Sequence, residues 1–137
     1  MMLASRSLEQ AIFNALKADN TLIEFLGGVR IYDEPRRDSV FPYLTVTTSY
    51  TRDWSTGSEA GDEHRLMITV WAGSNDRMLQ QEILACLRAS LTDPALSLTD
   101  HHLVNLQIER CEIRPDRKNR LLQGVMQIRA VTEEYAQ

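Results

Sequence analysis

Two cysteines, three histidines, six glycines and four prolines in 137 residues leave little material for several kinds of protein. Cys86 and Cys111 have no close spacing, which fits reduced, buried thiols of a cytosolic chain better than a disulfide framework. His101 and His102 are adjacent, so in an extended chain they point to opposite sides and cannot chelate one ion together. They are expected to be ordinary loop or strand-end residues, and His64 a satisfied structural histidine that could titrate near neutral pH. No metal ligand set is predicted. Nor does any apolar stretch approach the roughly 18 residues of a membrane span, and the start through Arg6 lacks the apolar run of a signal peptide. A soluble chain without export signal or membrane partner is expected.

Positive charge is also scarce. Fifteen Lys and Arg stand against nineteen Asp and Glu, a net charge of -4, which argues against affinity built on neutralising phosphates. The gathering of Arg114, Arg117, Lys118 and Arg120 is diluted by Glu112 and Asp116, and residues 114–120 read as a solvated turn. Phosphate-cradling glycine patterns and nucleophile elbows are missing. Cys86 sits between the apolar positions Ile83 and Leu87, the place of a small hydrophobe rather than an activated thiolate. Glu59, Asp62 and Glu63 lie in or beside a glycine-containing segment and read as solvated acids rather than an acid and base pair. No catalytic residue and no cofactor site is predicted.

What the chain does have is a globular balance, 43% hydrophobic and 25% charged, in a length that suits one domain over 1–137. Leu8, Ile12, Ala15 and Leu16 recur at helical spacing behind a possible cap at Ser5 or Ser7. Leu22, Ile23, Phe25 and Leu26 form a short helical turn that Gly27 and Gly28 can end. After an extended stretch to Tyr32 and a polar loop, Pro42 opens a strand in which Leu44, Val46 and Thr48 alternate with Thr45, Thr47 and Ser49. Residues 51–62 read as the longest loop, a mobile hairpin connection, with Trp54 either folded back on the sheet or held out for a partner. In the next strand His64, Leu66, Ile68 and Val70 oppose Arg65, Met67, Thr69 and Trp71.

Behind a capped turn at 72–75, Met78, Leu79, Ile83, Leu84, Leu87 and Leu91 trace an amphipathic helix that Thr92, Asp93 and Pro94 stop. Val104, Leu106 and Ile108, then Leu122, Met126, Ile128 and Ala130, form a final hairpin. Its apolar phase shifts before Cys111 and Ile113, through a bulge or a strand end. The fold class expected is α+β: a mainly antiparallel sheet of about four or five strands with two helices on one face. The other face is Thr-, Gln- and Arg-rich and must meet water or another subunit.

Arg30, Ile31 and Tyr32, the polar loop, Phe41, Pro42 and Tyr43 entering a strand, Trp71 ending the next, and a terminal strand from Gly124 through Arg129 to Glu133 form an ordered set. In these the chain resembles the tail-completion or tail-terminator proteins of long-tailed phages, prophages and gene-transfer agents. That resemblance implies a non-enzymatic virion protein, made in the host cytoplasm, that caps the tail tube as a ring, usually a hexamer. It would end tube growth and meet the tube protein and a head-side connector or stopper, with DNA passing through without specific binding. Tyr32, Phe41, Pro42, Tyr43, Trp71 and Arg129 carry over as framework positions; Phe41 and Tyr43, which flank Pro42, are expected to anchor the helix-bearing layer. Arg52, Asp53, Trp54, Glu59 and Asp62 are the candidate interaction loop, on that loop's length and its lone aromatic. The competing expectation is a small soluble α+β enzyme or ligand-binding module with a pocket between helices and sheet. A nuclease would need clustered carboxylates that the scattered acids do not supply.

Overall fold

A computed structural model describes residues 3–36, 40–92 and 96–134. In chain order these form α1 (Ala4–Lys17), α2 (Asn20–Leu26), β1 (Ile31–Tyr32), β2 (Tyr43–Asp53), β3 (Gly61–Gly73), α3 (Arg77–Leu91), β4 (His101–Asp116) and β5 (Leu121–Glu134). The strands make one sheet in the order β1-β2-β3-β5-β4, in which only the β1 to β2 pairing is parallel. This is the expected α+β class, with the short helical turn closing into a third helix.

Strand alternation decides where the core lies. Leu44 and Val46, Leu66, Ile68 and Val70, and Met126, Ile128 and Ala130 share one sheet face. Against them pack Leu8, Ile12 and Leu16 of α1, Leu22 and Leu26 of α2, and Ile83, Leu87 and Leu91 of α3. All three helices therefore cover the same face. Gly27 ends α2 with φ 77, a left-handed conformation that glycine adopts without a Cβ penalty.

Several helix details differ from the sequence reading. Neither Ser5 nor Ser7 caps α1: Leu3 is the N-cap residue, and Ser7, inside the helix, donates to Thr99 O at 2.7 Å. The turn before α3 supplies no capping side chain, and Asp76 stands at the N-cap. Met78 points away from the core and is 78% exposed, while Gln80 is fully buried in its place. Helix α3 ends at Leu91, with Thr92 at its C-cap; Asp93 and Pro94 lie outside the described residues.

Strand ends differ more. Residues 51–53 and 61–62 belong to β2 and β3, so the long loop contracts to 54–60. Strand β4 runs on to Asp116, so Arg114 is a strand residue and the turn is confined to 117–120. Register shifts mark bulges between Thr48 and Tyr50, Leu103 and Asn105, and Ile108 and Arg110. The last accounts for the phase shift before Cys111. The one between Leu103 and Asn105 turns Leu103 to the core and leaves Val104 exposed, against expectation. Cys111, on the sheet-edge strand β4, is exposed rather than buried, and Cys86 is half-buried; both are free.

Among the described residues the sheet has two open edges. β1 covers β2 only at Leu44 and Thr45, which leaves the outer side of 46–53 without a strand. β4, sixteen residues long, is the other edge.

Candidate assembly interface

The sheet face away from the helices is where sequence and structure place the unusual chemistry. At one end of it the hairpin register sets Arg52 opposite Glu63, with Val131 beside Glu63 on β5. Glu63 is buried, and its carboxylate accepts from Arg52 Nε and from Arg129 Nε, each at 2.6 Å. Arg129 is largely buried and Arg52 exposed. The Arg129 hydrogen bond does most to hold the Glu63 carboxyl below its ordinary range; Arg52 adds to this, and burial opposes it. Glu63 is thus a strut, ionised at neutral pH, that joins β3 to the strands on either side, not the solvated acid expected beside a mobile loop. It has no acid or base role to play at neutral pH.

Trp54 lies over both cations, its ring centroid 5.4 Å from the Arg52 guanidinium and 5.2 Å from that of Arg129. Of its two expected dispositions it adopts the folded-back one, yet it stays 46% exposed. Of the candidate loop residues, Arg52 and Trp54 join this cluster. Asp53 instead accepts from Ser55 N at 2.8 Å and from the Ser55 hydroxyl, bonds that pull its carboxyl below the ordinary range. Glu59 shares a hydrogen bond with Glu133, whose carboxyl is pushed upward by that bond, by burial and by the neighbouring charge. Asp62 sits in β3 beside His64. The hairpin therefore brings together a cationic-aromatic patch and, at its tip, an acidic one.

The opposite end of the same face carries a row of rings. Tyr43 stacks on Trp71 at 6.0 Å between centroids, with Phe41 at 5.6 Å and Tyr32 at 5.8 Å from Tyr43. Arg36 caps Tyr32 at 4.3 Å, and Arg30 Nη1 donates to Phe41 O at 3.3 Å. The Phe41 to Pro42 peptide bond is cis. Because Leu44 and Val70 face the helices, their neighbours Tyr43 and Trp71 face away. The aromatics brace the helix-free layer, which corrects the expectation that they anchor the helix-bearing one.

His64, His101 and Cys86 are tied into the structure. His64 is buried between Thr51 Oγ1 at 2.9 Å and Thr132 Oγ1 at 2.8 Å, and burial pushes its pKa down. His101 is buried and its Nδ1 donates to Thr99 O, while His102 is exposed, on opposite sides as expected. Burial, then the Asp19 carboxylate, pushes the Cys86 thiol up to about 11, far from a nucleophile. Among the described residues no group of three or more His, Cys, Asp or Glu could hold a metal ion. No helix among them is long and apolar enough to cross a membrane.

Two residues escaped the sequence reading. Glu63 occupies the polar parity of β3, but its burial follows from hairpin register, which alternation alone does not reveal. Gln80 stands within the apolar stripe of α3, and its Nε2 reaches the strand carbonyls Val70 O at 2.9 Å and Leu122 O at 3.3 Å.

Among the described residues the sheet has two open edges, one helix-covered face and one face of salt bridges and rings, surfaces suited to assembly. The chain belongs to the tail completion protein gp17 family, whose model matches residues 10–133. It is thus a structural protein of a tailed particle and not an enzyme. Its fold is similar to that of a chain in the virion of a native gene transfer agent particle, with a TM-score of 0.86 at 22% identity over 97% of this chain and 99% of that one. It is also similar to the bacteriophage SPP1 gp17 protein, with a TM-score of 0.65 at 21% identity over 94% and 91% of the two chains. No curated protein matches it.

Proposed function

We propose that residues 1–137 act as one domain that caps the tail tube as a homo-oligomeric ring, hexameric by family resemblance. The ring ends tube polymerisation and joins the tail to the head-side connector or stopper. The observation that carries this reading is the pair of open sheet edges on a chain of the tail completion family. The edges are two different surfaces at opposite ends of one sheet, and pairing of unlike surfaces builds rings when the rotation closes. The hairpin patch of Arg52, Asp53, Trp54, Glu59 and Asp62 is the surface for tube or connector. Its half-exposed tryptophan beside a cation is the kind of anchor that dominates interfaces. Tyr32, Phe41, Pro42, Tyr43, Trp71 and Arg129 keep the helix-free face rigid. DNA passes the ring without specific binding, in keeping with the net charge of -4.

Electron microscopy of particles made without this chain tests the reading: tails of uncontrolled length or tails detached from heads are expected. Normal particles would overturn it.

A further inference from the structure

The two open edges match in direction and in height. β2 and β5 run one way and β3 and β4 the other, so β4 is antiparallel to β2. Following the register across the sheet, Arg52 lies level with Glu63, Val131 and Asn105, and Thr48 with Leu66, Ile128 and Ile108. Val46 is level with Ile68, Met126 and Cys111 by the same route. The uncovered part of β2, residues 46–53, therefore stands at the height of 103–111 on β4. In a cyclic assembly whose strands run along the axis, rotation leaves height along the strands unchanged, so the edge of one sheet meets the far edge of the next at matching heights, offset only by strand tilt.

We propose that β4 of one copy adds antiparallel to the open part of β2 on the next, residues 103–111 beside 46–53, so that the sheets of a ring form one continuous ladder. This rests on the ring reading above and names the contact that makes the ring.

Two further features fit this occupant. β1 blocks the outer side of β2 at Leu44 and Thr45, level with Ile113 and Glu112. An incoming β4 has to step aside there, and its bulge between Ile108 and Arg110 bends it just before that height. Each segment also carries one exposed large apolar side chain, Tyr50 and Val104, that pairing would cover. The bulge in β2 between Thr48 and Tyr50, and charges such as Arg52 and Arg110, discourage indiscriminate edge pairing by free chains. Pairing is thereby reserved for copies held in place on a tube end.

Amide hydrogen exchange on the unmodified protein, free and assembled on tail tubes, reads the contact directly. Peptides covering 46–53 and 103–111 should both slow by about tenfold or more on assembly. Cross-linking identifies the partner. In a Cys86→Ser background Cys111 is the remaining native thiol, and Thr47→Cys or Ser49→Cys, each made singly, places one on β2 near the height of Cys111. A short bismaleimide should join copies of one of these variants into a ladder that ends at the ring size, with circular dichroism verifying that the variants fold. Rings visible by microscopy with neither exchange protection nor a ladder would overturn the pairing and leave the ring standing. Linkage to the tube protein in place of a second copy would also overturn it. Tubes that carry no ring would refute both this contact and the function proposed above.

Discussion

Gly124 and Gln80 form a steric lock whose strength can be worked out. A Cβ placed on Gly124 would lie 2.9 Å from Gln80 Cδ, 3.0 Å from its Nε2 and 3.1 Å from its Oε1. Carbon atoms in good contact stand about 3.5–4.0 Å apart, so the amide would have to retreat by at least half an ångström or so. Gln80 is fully buried, and retreat would break its bonds to Val70 O and Leu122 O, which tie α3 to β3 and β5. Each bond contributes about 0.5–1.5 kcal/mol net. With residual overpacking, Gly124→Ala should cost about 2–3 kcal/mol.

The double-mutant cycle with Gln80→Ala separates this lock from any general intolerance of the strand. Once the amide is gone the new methyl has room, and alanine is intrinsically better than glycine inside a strand by about 0.5–1 kcal/mol. In that background Gly124→Ala should be neutral or slightly stabilising, a coupling of about 2–3 kcal/mol between the two sites. Urea unfolding followed by circular dichroism measures all four variants. An equal cost of Gly124→Ala in both backgrounds, or no cost in the native one, would refute the reasoning.

Three other outcomes are expected. Glu63→Gln should lower thermal stability at neutral pH. Because the folded carboxyl sits below its ordinary value of 4.5, the stabilisation is complete above that value and is lost as pH falls through the lowered one; the gap between native and variant melting curves should therefore close in acid, and a gap independent of pH would contradict the strut. Trp54→Ala, which removes two ring-over-guanidinium contacts, should cost about 1–2 kcal/mol in urea unfolding, and no change would mean that the ring does not settle on Arg52 and Arg129. Cys86, with its thiol near 11, has about one thiolate in a thousand at pH 8; burial raises the Cys111 thiol too, but less, and Cys111 is exposed, so iodoacetamide should modify Cys111 at least about tenfold faster, and comparable rates by peptide mass spectrometry would contradict the burial of Cys86.

Much of the framework was legible because burial writes itself as period. Ile83, Leu84, Leu87 and Leu91 placed α3, and the alternation from His64 to Trp71 placed the faces of β3. The same signal fails where neither face is apolar. Thr51, Arg52 and Asp53 look like loop, yet hydrogen bonds across the hairpin and the Glu63 strut carry the strand through them. Alternation also says that Tyr43 and Leu44 face opposite ways without saying which side the helices cover, since both residues are buried. Extra residues in bulges cost the reading Val104, because one inserted position exchanges the faces of its neighbours. The hairpin cluster was half visible: Trp54 stood out by composition, whereas its partner Arg129 lies in a strand made much later in the chain.

That lateness has a consequence for biosynthesis. β5, the last strand in chain order, lies between β3 and β4, and its pairing with β3 joins Gly61 to Glu133. As the chain leaves the ribosome, β2, β3 and the helices emerge with the inner side of β3 still bare. Only when the β4 to β5 hairpin arrives can that side close, a slow step for contacts so distant in sequence. Each nascent chain thus passes through an interval in which β3, a central strand of the finished sheet, is an open edge. Expression at lower temperature or with a chaperone that shields extended segments should raise the soluble yield by protecting that interval.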